Sequence, residues 1–279
     1  MSADATPHVF EPAYYARLAD IERRHWWALG LRAAATRLLD GTPFGTRDVR
    51  TLDAGCGTGL TLDWVGRYTD IAPIGLDYSP HALAYCAGSA HHRLVQGTAV
   101  SLPFIDASFD LAISADVVQH LPRPGGDRAS FAETARVLRP GGWFLLRTNS
   151  RCGQPVESTA DYHRYSLAEV RDLLASAGLE AHVVTYANGL PGVLTSARRL
   201  LARTRKSVGD PGLRIVAQEP GSSLVATVMH RVLLVEAWWI GTLRLPLPFG
   251  HSIIALARKP SPAVVVRSAA AATGSPAGA

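Results

Sequence analysis

Cysteine is scarce in this 279-residue chain, and Cys56, Cys86 and Cys152 stand far apart. They form no CxxC pair and no disulfide framework, and their odd count fits a reducing cytoplasm. The opening Met1-Ser-Ala-Asp-Ala-Thr-Pro7 lacks a basic-then-apolar signal, so a cytoplasmic protein is expected. Long apolar runs are missing too. The richest late stretch, Leu224–Ile240, is interrupted by His230, Arg231 and Glu236 and reads as too short and too charged to span a bilayer. No lysine cluster with interleaved aromatics is present, which argues against nucleic acid as a partner. His91-His92 has no partners at a ligand spacing, so no metal is expected. There is no internal repeat.

What remains is a globular composition, 47% hydrophobic and 18% charged, long enough for one large α/β domain with a buried core. The net charge is +5, from 28 basic and 23 acidic residues. That excess suits an anionic substrate, a membrane surface or simply an arginine-rich solvated surface.

Apolar periodicity orders the chain. Residues 11–40 read as helical, with Tyr14, Leu18, Ile21, His25 and Leu29 at helical spacing. Strands are expected at Arg50–Ala54, Ile71–Asp77, His92–Gly97, Phe109–Ser114, Trp143–Thr148, Leu179–Ala187 and Ser252–Ala257. Between them fall a helix to about Tyr68, one opened by Ser79-Pro80, and one over Asp127–Leu138. Another is opened by the capping box Ser166-Leu-Ala-Glu169 and closed by Gly178. Arg139-Pro-Gly-Gly142 reads as a turn. The alternation implies an α/β fold, a mostly parallel sheet with helices on both faces. Residues 1–45 read as an N-terminal helical lid, with 46–188 and 249–259 forming the core. Residues 189–248 read as a helical insertion and 260–279 as a disordered tail.

The most telling segment is Asp53-Ala-Gly55-Cys56-Gly57-Thr58-Gly59, where a strand gives way to a helix. Glycines there let the backbone turn sharply and approach a ligand. A dinucleotide loop needs G-x-G-x-x-G. Starting from Gly55 the third position is Leu60, and starting from Gly57 the last is Leu62, so the fingerprint fails in both frames. Asp77 closes the second strand 22 residues after Gly55, where a carboxylate can accept hydrogen bonds from a ribose diol.

With that loop come Gly75-Leu-Asp-Tyr-Ser-Pro80, Leu102-Pro-Phe104 with Ser108-Phe-Asp110, and Val137-Leu-Arg-Pro-Gly-Gly142, in that order. Together they resemble the class I S-adenosylmethionine-dependent methyltransferases, in particular the group that includes ubiquinone and menaquinone biosynthetic enzymes. The resemblance covers about residues 50–180. It implies a Rossmann-like seven-stranded sheet with an antiparallel last strand, and S-adenosylmethionine as cofactor. On this sequence it puts the cofactor's methionine end on Asp53 and the loop Gly55, Cys56, Gly57 and Gly59. Asp77 would take the ribose and Tyr78 would flank adenine. Gly97-Thr98-Ala99 stands where many relatives carry the Gly-Asp-Ala that meets the adenine amine, with Thr98 in place of the acid. Glu22-Arg-Arg-His25-Trp26-Trp27 and Leu245-Pro-Leu-Pro-Phe-Gly250 resemble a bacterial His-Trp-Trp subgroup often found near polysaccharide or natural-product pathways.

The acceptor is less legible. Ligands of open α/β sheets sit beyond the strands' carboxyl ends, which points to Ala115 through His120 after the fourth strand. His120 is a candidate general base or a structural residue beneath Leu121-Pro122. In Asp161–Ser166, His163 is a candidate base and Arg164 an anion clamp, with Tyr162 and Tyr165 as orienting groups; the alternative is a helix-entry loop. Gln119 joins the substrate candidates. Trp26 and Trp27 either stack on substrate or sulfonium, or pack the core. In the insertion, Arg198, Arg199, Arg203, Arg205 and Lys206 with Leu224–Ile240 suit a phosphorylated or lipid-like substrate, a membrane surface or a homodimer contact. The expected activity is in-line methyl transfer to a small molecule. The rivals are a nicotinamide oxidoreductase, a lipid or quinone methyltransferase at a membrane, and a non-catalytic cofactor-binding module.

Overall fold

The computed structural model describes residues 11–46, 48–87, 93–152, 163–189 and 223–261. Tyr162, His91-His92, the basic run Arg198–Lys206 and all of the tail beyond residue 261 lie outside the described residues. Seven strands form one sheet in the order β3-β2-β1-β4-β5-β7-β6. They are β1 (Thr51–Ala54), β2 (Ile74–Asp77), β3 (Arg93–Gln96), β4 (Phe109–Ala115), β5 (Leu138–Asn149), β6 (Glu180–Ala187) and β7 (Ser252–Arg258). The first five run parallel and β7 runs antiparallel between β5 and β6. The expected Rossmann-like α/β sheet is therefore present. Its strand order reverses between β1 and β4, and the crevice outside their carboxyl ends is the natural ligand position.

Period-two alternation sorts the side chains onto two faces. Leu52, Phe144, Leu146 and Ile253 meet Phe131 of α5 (Gly126–Val137) and Leu174 of α6 (Leu167–Ser176). Ile113, Leu145 and Ile254 meet Leu31 and Leu38 of α2 (Trp26–Leu39), with Trp64 of α3 (Leu60–Val65). Each such fully buried Leu or Ile contributes about 1.5–3 kcal/mol. Strand parity puts Asp53, Ala115 and Arg147 on the α2 side. The polar groups that matter below thus project from strands whose neighbours are apolar.

The single helical stretch expected over residues 11–40 is two helices, α1 (Pro12–Arg24) and α2. The break falls at His25, whose extended backbone and Nδ1 atom cap α2 by accepting the Trp27 amide at 3.3 Å. The histidine of the His-Trp-Trp motif is buried and works as a helix cap. The turn expected at Arg139–Gly142 belongs to β5, because Gly141 and Gly142 exchange backbone hydrogen bonds with Lys259 beyond β7. The capping box at Ser166 and Glu169 is present with both of its hydrogen bonds. Ser79 caps α4 (Pro80–Cys86).

The late apolar stretch differs from expectation in length. Helix α7 (Ser223–Trp238) continues as a π-turn over Trp239–Leu243. Leu224–Leu243 is thus 20 residues with mean hydropathy 1.3, long and apolar enough by length and composition to cross a membrane. The extra turn carries the helical stretch past the expected end at Ile240. Met229, Leu233, Ala237 and Ile240 are buried, and α7 lies against α2. Close approach needs two glycines. A Cβ at Gly30 would fall 2.6 Å from Leu233, and one at Gly241 would fall 2.3 Å from the Cβ of Arg37.

Candidate functional site

The glycine loop leaves β1 with positive φ at Gly55, Gly57 and Gly59. A Cβ at Gly55 would strike Val117 at 2.2 Å, so strain and sterics both require glycine. The Gly55 and Cys56 amides donate to Leu76 O at 2.7 and 3.0 Å, pinning the loop to β2. Asp77 extends that link. Its Oδ2 accepts the Gly57 amide at 2.9 Å and its Oδ1 accepts the Ser79 amide at 2.9 Å. Each oxygen keeps a lone pair for a further donor. Tyr78, next in the chain, is 79% exposed at the strand's end. Thr98 and Ala99 follow β3 close by, where the Gly97 amide donates to Asp77 O at 3.0 Å. The surroundings of Gly57 are open, with nothing that a Cβ would meet.

Asp53 is the outlier. It is 1% exposed, and neither carboxylate oxygen has a hydrogen-bond partner. Burial, with the charges of Asp77 and Glu22, pushes its pKa up to about 8. A buried carboxyl without a partner costs stability unless a donor arrives.

Helix α1 closes over this loop. The Glu22 carboxylate accepts the Thr58 hydroxyl. Tyr15 is buried, hydrogen-bonds Ser79, and has its phenol pushed up to about 12 chiefly by burial. Glu22 is held above the usual carboxylate range by burial, despite Thr58 and Arg147. Across from it Arg147 bonds Asp116, Nη2 to Oδ2 at 2.6 Å and Nε to Oδ2 at 2.9 Å. Burial opposes the Arg147 charge; Asp116, Glu22 and Asp53 outweigh it. Its guanidinium lies 5.8 Å from the centre of the Trp27 ring. Behind the loop is a cavity of about 60 Å³, bounded by Glu22, Arg32, Thr61, Trp64, Ala115 and Arg147 among others.

Sequence reasoning missed Arg147 and Asp116 as a pair and gave Glu22 no role of its own. One signal was available: Arg147 is a lone charge inside the apolar run Trp143–Thr148, on the same parity as Leu145. Trp27 faces Arg147, while Trp26 packs on His25 at 4.7 Å between ring centres.

The acceptor candidates divide. The His163 amide donates to Gln119 O at 3.0 Å, so the segments bearing His120 and His163 meet. His120 is exposed, its Nε2 3.4 Å from Gln119 Nε2. Burial and then Arg123 hold His163 below the usual imidazole range, and its Nε2 is 3.7 Å from Glu169. Gln119 is buried, and its carbonyl accepts the Thr148 hydroxyl at 2.9 Å and the Asn149 amide at 3.2 Å. That spends it on joining the β4 turn to β5. Arg164 is partly exposed beside His163. Tyr165 must be corrected. It is 1% exposed and its hydroxyl donates to Val118 O at 3.1 Å within the core, out of reach of an acceptor. Among the described residues no cluster of His, Cys, Asp or Glu could hold a metal ion.

Known proteins share both sequence and fold with this chain. A family profile described as a methyltransferase domain matches residues 52–146, from β1 to β5. A protein of Encephalitozoon cuniculi named as a methyltransferase is 31% identical over 176 residues, 62% of this chain and 75% of that protein. The chain belongs to the methyltransferases. A Mycolicibacterium smegmatis protein named as S-adenosylmethionine-dependent is 38% identical over 143 residues, 48% of this methyltransferase and 52% of the relative. This methyltransferase thus spans about half of that relative's length and three quarters of the first one's. In a solved complex of a Haloferax volcanii methyltransferase activator with its methyltransferase, one chain superposes with a TM-score of 0.58 at 20% identity. The match covers 92% of this methyltransferase and all of that chain, and carries the fold. The methyltransferase uses S-adenosylmethionine as its cofactor. Its glycine cradle and the orphaned Asp53 carboxyl fit that ligand, which brings an ammonium group and a ribose diol.

Proposed function

We propose that this methyltransferase moves the sulfonium methyl by direct in-line displacement to a small-molecule acceptor. The acceptor would lie beside the β4 turn and the segment before α6. S-adenosylmethionine supplies an already activated methyl group. The protein's work is therefore alignment, desolvation and exclusion of water. In this reading Asp53 receives the cofactor's ammonium group, with Gly55, Cys56, Gly57 and Gly59 against its methionine end. Asp77 uses its remaining lone pairs for the ribose hydroxyls. Tyr78, Thr98 and Ala99 border adenine, and Ala115 lines the approach to the methyl group. The Glu22–Thr58 hydrogen bond holds α1 across the loop as a lid.

The carrying observation is the unpartnered, fully buried carboxyl of Asp53 beneath a glycine loop. A cation-bearing ligand answers it, and the anionic pyrophosphate that a dinucleotide brings to such a loop does not.

His163 is the better-placed base, because its lowered pKa keeps the imidazole neutral and able to accept a proton. His120 is the alternative. Arg164, Trp26 and Trp27 are the acceptor-facing candidates retained. The acceptor classes that suit the chain's basic balance are phosphorylated or isoprenoid intermediates, saccharides and bacterial secondary metabolites. The His-Trp-Trp motif supports the last two through the subgroup it resembles. A second reading, a lipid or quinone acceptor taken at a membrane, is favoured by the exposed apolar face of α7. The test is release of S-adenosylhomocysteine across a panel of these acceptors. Turnover with one class assigns it. Cofactor binding without turnover on any acceptor would point to a binding module instead.

A further inference from the structure

Helix α7 has two apolar faces, and only one is used. Leu233 packs against Gly30 and Gly241 against Arg37, so α7 runs alongside α2 in the same direction. Met229, Leu233, Ala237 and Ile240 fill that contact. The opposite face carries Leu224, Val225, Val228, Val235, Trp238 and Trp239, which are 73%, 54%, 51%, 64%, 43% and 40% exposed. These positions recur at helical spacing and form one stripe. Leu245 and Phe249, just beyond the helix, are 47% and 42% exposed. A soluble surface rarely shows so many large apolar groups together.

The sequence segment that carries this face is strongly basic. Between Gly189 and Gly250 the sequence has eight Lys or Arg residues and three Asp or Glu residues. That excess of five equals the net charge of the whole chain, so outside this segment the chain is neutral. Arg231 is exposed on the helix among the apolar residues. The single acid of α7, Glu236, turns away from them and accepts the Asn188 and Gly189 amides at the carboxyl end of β6. An apolar stripe with paired tryptophans, in a segment holding the chain's whole positive excess, has the chemistry of a helix lying in an anionic bilayer surface.

We propose that the outer face of α7, with Leu245 and Phe249, docks this methyltransferase in-plane on an anionic membrane. The helix passes the length and composition test for a span, but its inner face is committed to α2 along the protein body. A helix crossing the bilayer could not keep that contact. Glu236 fixes the last turn of α7 at the sheet's carboxyl edge, through the Asn188 and Gly189 amides. The inference stands without the identity of the acceptor, because docking is read without turnover.

The test is co-sedimentation of the full chain with vesicles of phosphatidylcholine alone or mixed with phosphatidylglycerol. Wild type is compared with Val235→Ser/Trp238→Ser/Trp239→Ser. S-adenosylhomocysteine calorimetry on both proteins verifies that the fold and cofactor site persist. The expected result is binding to the mixed vesicles about tenfold or more tighter than to neutral ones, as a basic segment near an anionic surface requires. The triple variant should bind at least about tenfold more weakly than wild type, since three apolar groups that the lipid would cover are lost. Quenching of wild-type tryptophan fluorescence by brominated lipid, lost in the variant, gives the same answer without sedimentation. No binding to either vesicle overturns the proposal. So does equal binding by the variant, or equal binding to neutral lipid. A concentration-dependent dimer that the triple variant abolishes, with no vesicle binding, also overturns it and assigns the face to a second copy.

Discussion

The Asp77 carboxylate accepts the Gly57 amide at 2.9 Å and so ties the end of β2 to the middle of the glycine loop. The residue proposed to take the ribose thus also braces the loop proposed to take the methionine end. Asp77→Ala removes both functions, together with the bond from the Ser79 amide. Hydrogen bonds to a charged group are worth about 1.5–3 kcal/mol, so cofactor affinity should fall at least about tenfold. A modest loss of melting temperature should accompany it. Calorimetry with S-adenosylhomocysteine and a thermal melt check both. Unchanged affinity would remove Asp77 from the site.

Tyr165 gives the opposite pattern. Its hydroxyl is buried and bonded to Val118 O, and Asp127 Oδ2 lies 3.4 Å away. Tyr165→Phe should cost about 1–2 kcal/mol of stability by leaving those acceptors unsatisfied. Turnover per folded molecule should not change. A denaturant melt and initial rates separate the two effects. A lost rate with unaltered stability would restore Tyr165 to the chemistry.

His163 predicts a pH dependence. Its folded pKa lies below the ordinary imidazole value, so it stays neutral at pH 7 and charges only under more acidic conditions. If it is the base, the rate should hold as pH falls through 6.5 and drop only below that. His163→Gln should abolish this limb while cofactor binding survives. The same depressed pKa means the unfolded chain binds the proton first. The stability this group supports is therefore present above about pH 6.5 and is lost as pH falls below it. An acidic limb that persists in His163→Gln and vanishes in His120→Gln would move the role to His120.

Local signals in the sequence carried much of the fold. The capping box at Ser166 and Glu169 acts over three residues, and the strand-loop-helix at Asp53–Gly59 is equally local; both stand in the structure as read. Most of the seven strands were legible because they are short runs with an apolar centre bounded by turn residues. The break between α1 and α2 was not, since His25 continues the helical apolar spacing and only its capping bond reveals the boundary. The polar lining of the site was hidden for another reason. Glu22 meets Thr58 across 36 residues, and Arg147 meets Asp116 across 31. No periodicity in the chain announces such pairs; they arise when strand parity and helix packing bring distant charges to one side of the sheet.

Asp53 bears the central claim. Its carboxyl pKa rises from the ordinary 3.8 to about 8, so across that window the folded chain keeps a proton that the unfolded chain has released. Stability from this group is greatest at low pH and falls as pH rises through 8. Asp53→Asn should therefore melt higher than wild type near pH 8 and bind cofactor at least about tenfold more weakly, because a charge-assisted bond is lost.

Calorimetric titration of S-adenosylhomocysteine into the wild-type protein at pH 7, in two buffers of different ionisation enthalpy, tests the claim most directly. If the ligand's ammonium group meets Asp53, the carboxyl must ionise on binding, and a net proton release should appear that Asp53→Asn abolishes. Tight binding with no proton release, or the same release from Asp53→Asn, would contradict the account.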